Sequence, residues 1–251
     1  MTNLLVQEFS GLFLVFCRIG SCLMVMPGYS NPRVPMRVRL FLAFAVTIAL
    51  APLISGLNDI KFDALKPAQF YMMVVSEVGL GLLIGLLGRC FFLALQFMAI
   101  GAANFMGLGT MPGAPAFENE PSPPIASFIM LTATMLFFVT DLHIEVLRAL
   151  VESYTAEPMA TVIDAAYSLD RLNRIMSDTF QLALQVCSPF VVYGLVVNFS
   201  FGLVNKMTPQ IPVYFISLPF VIMGGMFLAY AVLIQLLPTF LRGFSDWLAR
   251  V

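Results

Sequence analysis

The sequence predicts an all-α membrane protein, on three observations. The chain is 60% hydrophobic and only 11% charged, where soluble domains carry roughly 25% charged residues. Its apolar residues gather into six long runs, read as helices of the kind that cross a bilayer core of about 30 Å. Between the runs lie breaks rich in proline and glycine, where a helix loses an amide donor and clashes with the turn before it.

The first run covers Leu4 to Met26. It carries Glu8, lacks a basic leading region and continues too far for a cleavable signal, so it is expected to stay as a helix. Arg18 interrupts it. A charge there is costly in lipid and is expected to face protein or water. A break at residues 27–39 follows, with Pro27, Pro32 and Pro35 and the basic cluster Arg33, Arg37 and Arg39. The positive-inside rule places this loop in the cytoplasm and the N-terminus outside.

The second run is Leu40 to Leu57. The third starts at Ala68 and meets no proline until Pro112, so it reads as helical to about Phe105. At 1.5 Å per residue such a helix is on the order of 55 Å long. It is either one very long helix or a bent hairpin. Glu77 and Arg89 are charges inside it, and Gly81 and Gly85 form a G-x-x-x-G on which another helix can pack closely.

Asn104 to Pro124 is a central stretch with Gly107, Gly109, Gly113 and five prolines. It opens apolar, with Phe105, Met106, Leu108 and Met111. A plain connecting loop is the reading that the residues alone favour. A deformable contact or plug is the alternative, since methionine packs adaptably.

Ile125 to Thr140 is the fourth run. The most polar part runs from Arg148 to Asp178 and is interrupted by Pro158; in it Val162, Leu169, Leu172 and Met176 recur at helical spacing, which reads as an amphipathic helix feeding the fifth run, Thr179 to Val204, with Pro189 as a kink. The sixth run, Val213 to Leu237, is interrupted by Pro219 and by Gly224-Gly225, and a short tail follows Pro238. Six crossings with the first loop inside leave Lys61, Lys66, Arg148, Arg171, Arg174, Arg242 and Arg250 outside. That distribution disobeys the positive-inside rule and points to helices packed within a protein assembly, partly out of the bilayer.

Chemistry is sparse. The net charge of −1 gives no basic surface for nucleic acid. Cys17, Cys22, Cys90 and Cys187 sit in apolar runs without a C-x-x-C pair and read as core residues. Asp141 and Glu145 share a helix face and the single histidine, His143, points away from it, so no metal site is expected. No cofactor motif and no catalytic constellation is present, and the chain is not expected to be an enzyme. Arg18, Glu77 and Arg89 suit either an ion path or pairing with neighbours, and the lack of an acidic or histidine relay favours pairing. Proline- and glycine-broken helices also fit a self-contained secondary transporter for an ion or small solute, although no internal repeat supports it.

Several stretches together resemble the FliR family of the type III secretion export apparatus. The most distinctive runs from Asn205 and Lys206 through Pro209, Gln210 and Pro212 to Pro219, then Gly224-Gly225. Glu77-Val-Gly79-Leu-Gly81-Leu-Leu-Ile-Gly85 is similar to a second family stretch. His143, Leu147 and Leu150 ahead of Ser153-Tyr154 are similar to a third. Arg18, Pro27 and the loop with Pro35, Arg37 and Arg39 fit the amino-terminal pattern.

The resemblance implies one single-copy export-gate subunit over 1–251. Its parts are amino-terminal helical hairpins (1–103), a central plug or gate loop (104–124) and a carboxy-terminal helical part (125–251). It implies long, kinked helices in a helical hetero-oligomer, FliP-like first and FliQ-like last. The implied partners are FliP, FliQ and FlhB, the cargo is unfolded secreted protein, and membrane lipid is a further contact. The implied site is the bacterial inner membrane within the flagellar basal body, with much of the assembly above the membrane plane. Phe105 matches an aromatic position of the family's plug loop. Three residues on, where enteric members have a second phenylalanine, this chain has Leu108.

Overall fold

The computed structural model of the chain describes residues 2–30, 34–54, 67–109, 123–158, 165–210 and 213–249. Among these residues there are seven α-helices, one 3-10 turn and no strands. Helix α1 is Thr2–Val25, α2 is Met36–Leu50 with the 3-10 turn Ala51–Leu53 after it, and α3 is Pro67–Phe105. Helix α4 is Pro124–Val139, α5 is Leu142–Ala156, α6 is Ala165–Met207 and α7 is Val213–Leu248. Proline opens α3 and α4 at the first helical position, where its missing amide has no partner to lose.

Helix α3 resolves one alternative. The 39 residues from Pro67 to Phe105 form a single helix, because nothing inside them removes an amide. The amphipathic residues before Asp178 and the fifth run likewise join into one 43-residue helix, α6, with Pro189 inside it.

Helix α7 corrects the reading of the prolines. Pro219 and Pro238 both lie inside the helix, which runs on through the supposed tail to Leu248. Proline in such helices is tolerated when neighbouring groups take up the freed carbonyls. The count of six crossings is also corrected. Among the described residues, four helices are long and apolar enough to cross a membrane: Met36–Leu53, Pro67–Phe105, Leu172–Met207 and Phe215–Leu248. A fifth span appears only if α4 and α5, bent by 65°, count as one. The described apolar part of α1, Phe9–Val25, is shorter.

The chain forms two compact units. One comprises Met1–Phe91, Phe137–Ser177 and Phe244–Val251, and the other comprises Phe92–Leu136 and Asp178–Gly243. In the first, Val15, Ile19 and Leu23 of α1 are buried with Ala43 of α2, Ile54 and Tyr154 of α5. Phe244 stacks edge-on to Phe91 and Phe137, with centroids 5.6 and 5.7 Å apart, and Trp247 lies 5.3 Å from both Phe91 and Phe244. Such aromatic pairs add about 0.5–1.5 kcal/mol each beyond the area they bury.

In the second unit, α6 and α7 form an antiparallel hairpin. Tyr193 meets Val221 near one end, and Leu182 lies where a Cβ on Gly243 would stand at the other. The last part of α3 packs on this hairpin. Phe92 stacks edge-on to Phe240 at 5.4 Å, and Ala102 and Met106 are buried with Phe190 and Ala229. Outward faces are apolar too, with Phe199, Phe215 and Phe227 about 70% exposed or more. Water does not favour such surfaces, so lipid or partner protein must cover them.

Candidate functional site

Arg18 is fully buried on α1. Its Nε donates to Oε2 of Glu77 on α3 at 2.6 Å, and its Nη2 donates to Oε1 at 3.1 Å. Nη1 and Nη2 both donate to the Glu157 carbonyl, at 3.2 and 3.1 Å. Nη1 also reaches the carbonyl and hydroxyl oxygens of Ser153, each at 3.3 Å. A guanidinium has five N–H donors, and here each has an acceptor. The group also lies 3.9 Å over the Tyr154 ring. The last carbonyls of a helix have no partner of their own and carry partial negative charge. Arg18 therefore binds a carboxylate on α3 and the carboxy-terminal end of α5 at once.

The same face of α3 continues below Glu77. A Cβ on Gly81 would strike the Arg18 carbonyl and the Ser21 hydroxyl, and one on Gly85 would stand 2.7 Å from the Cys22 carbonyl. A Cβ on Gly88 would strike Met26. Positions 77, 81, 85 and 88 lie on one stripe of a helix, and they meet residues 18, 22 and 26 in the same order. Helices α1 and α3 thus run parallel in backbone contact, with an ion pair at the head of the seam. Arg89 does not join it. It is exposed, because twelve residues past Glu77 the helix has turned about a third of a circle off the stripe.

The plug residues open where α3 stops. The Leu108 amide donates to the Ala103 carbonyl at 2.9 Å, and the Gly107 amide donates to that of Asn104 at 3.1 Å. With Gly107 at φ +75°, this is a Schellman cap, which needs a left-handed residue that glycine supplies without steric cost. Gly107 therefore ends α3. Phe105 is the last helical residue and lies against the bare backbone of Gly194. Met106 is fully buried, filling the space a side chain on Gly225 would need. Leu108 lines an apolar cleft of about 480 Å³ with Pro124, Ile125, Phe128, Met226 and Tyr230. Gly109 folds its backbone onto the Asn104 side chain. Met111 lies outside the described residues.

The Asn205-to-Pro219 stretch spans the α6–α7 corner. Asn205 and Lys206 end α6, Pro209 and Gln210 follow it, and Pro219 is inside α7; all five are exposed. Lys206 sits in the last turn of α6, where a cation favours the helix dipole.

The expected Asp141–Glu145 face is corrected. Asp141 precedes α5 in a left-handed conformation, φ 58°, at the bend after α4, so only Glu145 is helical. The Ser245 hydroxyl bonds to Glu145 at 3.0 Å. The His143 ring packs 5.3 Å from Phe138. Among the described residues, no cluster of three or more metal-binding side chains occurs.

The sequence model described as "Bacterial export proteins, family 1" matches residues 9–247. The chain belongs to that family. It is similar to the flagellar biosynthetic protein FliR of Caulobacter vibrioides, with 28% identity over 85% of this chain and 84% of that protein. The FliR proteins of Escherichia coli and Aquifex aeolicus are 25% and 24% identical. The first covers 91% of this chain and 86% of its own length, and the second covers 94% and 90%.

Within this family member, sequence reasoning missed the partners of Arg18 on α5. Two of them are backbone carbonyls, which no side-chain pattern reveals. It also passed over Tyr193, whose hydroxyl donates to the Val221 carbonyl at 2.7 Å. The available signal was the Gly224-Gly225 pair opposite an aromatic in the neighbouring run.

Proposed function

We propose that this chain is a core subunit of the flagellar type III protein export gate. In this reading it helps form and seal the channel through which unfolded flagellar proteins cross the bacterial inner membrane. The observation that carries the reading is the family match across residues 9–247, joined to relatives that bear the name of a flagellar biosynthetic protein. The apolar outer faces support it, because a gate subunit meets partner helices as well as lipid. Those partners are FliP, FliQ and FlhB, around a single copy of this chain in the basal body. No catalytic chemistry is needed. The work is to hold a passage closed and to let it open.

The end of α3 is the sealing element in this proposal. Met106 anchors it, and Phe105 and Leu108 present partly buried apolar bulk. The test is conductance across membranes that contain the assembled complex. Replacing Phe105 and Leu108 together by alanine should let ions and small molecules leak at unchanged assembly. Unchanged conductance in a fully assembled complex rejects the seal. Co-purification in mild detergent tests the wider reading. A single large heteromer with an unstable lone chain is expected, and a monodisperse lone chain indifferent to FliP and FliQ overturns it.

A further inference from the structure

One short section of helix α7 holds Pro219, Gly224 and Gly225 together, apart from Pro238 and Gly243 further on. Proline there has no amide to give to the ladder, and glycine lowers helix stability by up to about 1 kcal/mol relative to alanine. The two glycines serve different neighbours. A Cβ on Gly224 would stand 2.6 Å from the Tyr193 hydroxyl of α6, and one on Gly225 would stand 2.6 Å from Cγ of Met106 at the end of α3. The Gly107 backbone lies against Leu218, Val221 and Ile222 of the same section.

The Tyr193 hydroxyl does more than fill space. It donates at 2.7 Å to the Val221 carbonyl, the ladder partner of the Gly225 amide one turn on. In a regular helix that carbonyl and that amide bond to each other, four residues apart. One phenol thus shares the bond at the section of α7 on which the end of α3 is seated.

We propose that Tyr193 is a positioning residue for the end of α3. By holding the Val221–Gly225 section of α7 in one course, it fixes the seat of Met106 and Gly107. It thereby fixes the direction in which Phe105 and Leu108 are presented. The proposal rests on the export-gate reading for what those two side chains do, but its structural half stands apart. Loss of the hydroxyl should loosen that section of α7 and, with it, the end of α3.

The test uses the full-length chain co-expressed with its gate partners. Tyr193→Phe keeps the ring and removes the hydroxyl. Deuterium exchange should rise roughly five- to tenfold over residues 219–226 and also over 104–108, at unchanged yield of the complex. Faster exchange over 219–226 alone shows a local bond without coupling and overturns the proposal, as does no change in either segment. Gly225→Ala displaces Met106 and leaves the phenol in place, so 104–108 should loosen in that variant too; protection there unchanged in both variants overturns it as well. Conductance on the same preparations separates the two readings. If Phe105→Ala with Leu108→Ala fails to leak while Tyr193→Phe still loosens 104–108, the seal falls and the positioning role stands. If the double variant leaks and Tyr193→Phe loosens nothing beyond α7, the seal stands and the positioning role falls.

Discussion

Around Arg18 every N–H donor meets an acceptor, and the neighbours are a carboxylate, a hydroxyl and helix-end carbonyls. Around Met106 the neighbours are Ala102, Phe190, Ala229 and the bare backbone of Gly225. Both side chains are fully buried, yet they specify structure differently. Directional bonds to a buried charge admit one geometry, because any slip strands the charge. Apolar packing against glycine admits neighbouring geometries at modest cost, because methionine has three soft torsions. One unit thus carries a fixed frame and the other an adaptable seat.

Replacing Arg18 by methionine tests the fixed frame most severely. It takes the guanidinium away from the buried Glu77 carboxylate, and the expected loss is about 3–5 kcal/mol. Recovery of folded chain in detergent should collapse, while Arg18→Met with Glu77→Leu should recover much of it. Equal damage in both would mean that the seam does not depend on the charge pair. Gly81→Val should come next, with a loss of about 1–3 kcal/mol or more, since a side chain there meets the α1 backbone, which cannot turn aside. A thermal midpoint unchanged by that variant would remove the close seam between α1 and α3.

Smaller effects are expected at the adaptable seat. Gly107→Ala forces an L-residue into the left-handed region at about 1–2 kcal/mol, which should show as faster exchange at 104–108 with global stability only slightly lowered. Arg89→Gln should change stability by less than about 0.5 kcal/mol. A large loss there, read from the same melting curves, would place Arg89 in a partner interface and blur the contrast between the two regions.

The long helices were legible where a single physical rule governed. Absence of proline predicted α3 to within a residue at each end, and the apolar runs predicted α1 and α4 closely, while the fifth run marked only the later part of α6. Presence of proline was a poorer guide. Pro219 and Pro238 read as breaks, yet α7 continues through both, because tertiary neighbours decide whether a freed carbonyl is tolerated. At the sites, Arg18 and Glu77 were each visible as charges out of place, but their pairing spans 59 residues and depends on a parallel seam that only the fold creates. Phe105 was visible in the plug stretch. That Met106 beside it is core, and that Gly107 is a helix stop, depends on hydrogen bonds back to Ala103 and Asn104.

Helix α6 has 43 residues, so it is about 65 Å long at 1.5 Å per residue, roughly twice the hydrocarbon thickness of a bilayer. No depth of insertion brings the whole of it into lipid. A newly made copy without its neighbours therefore carries uncovered apolar helix into water, where chaperones and membrane proteases act on such surfaces. Cells that make too much of this chain should lose the excess rather than store it. The chain's abundance should then follow how much of that helix finds cover.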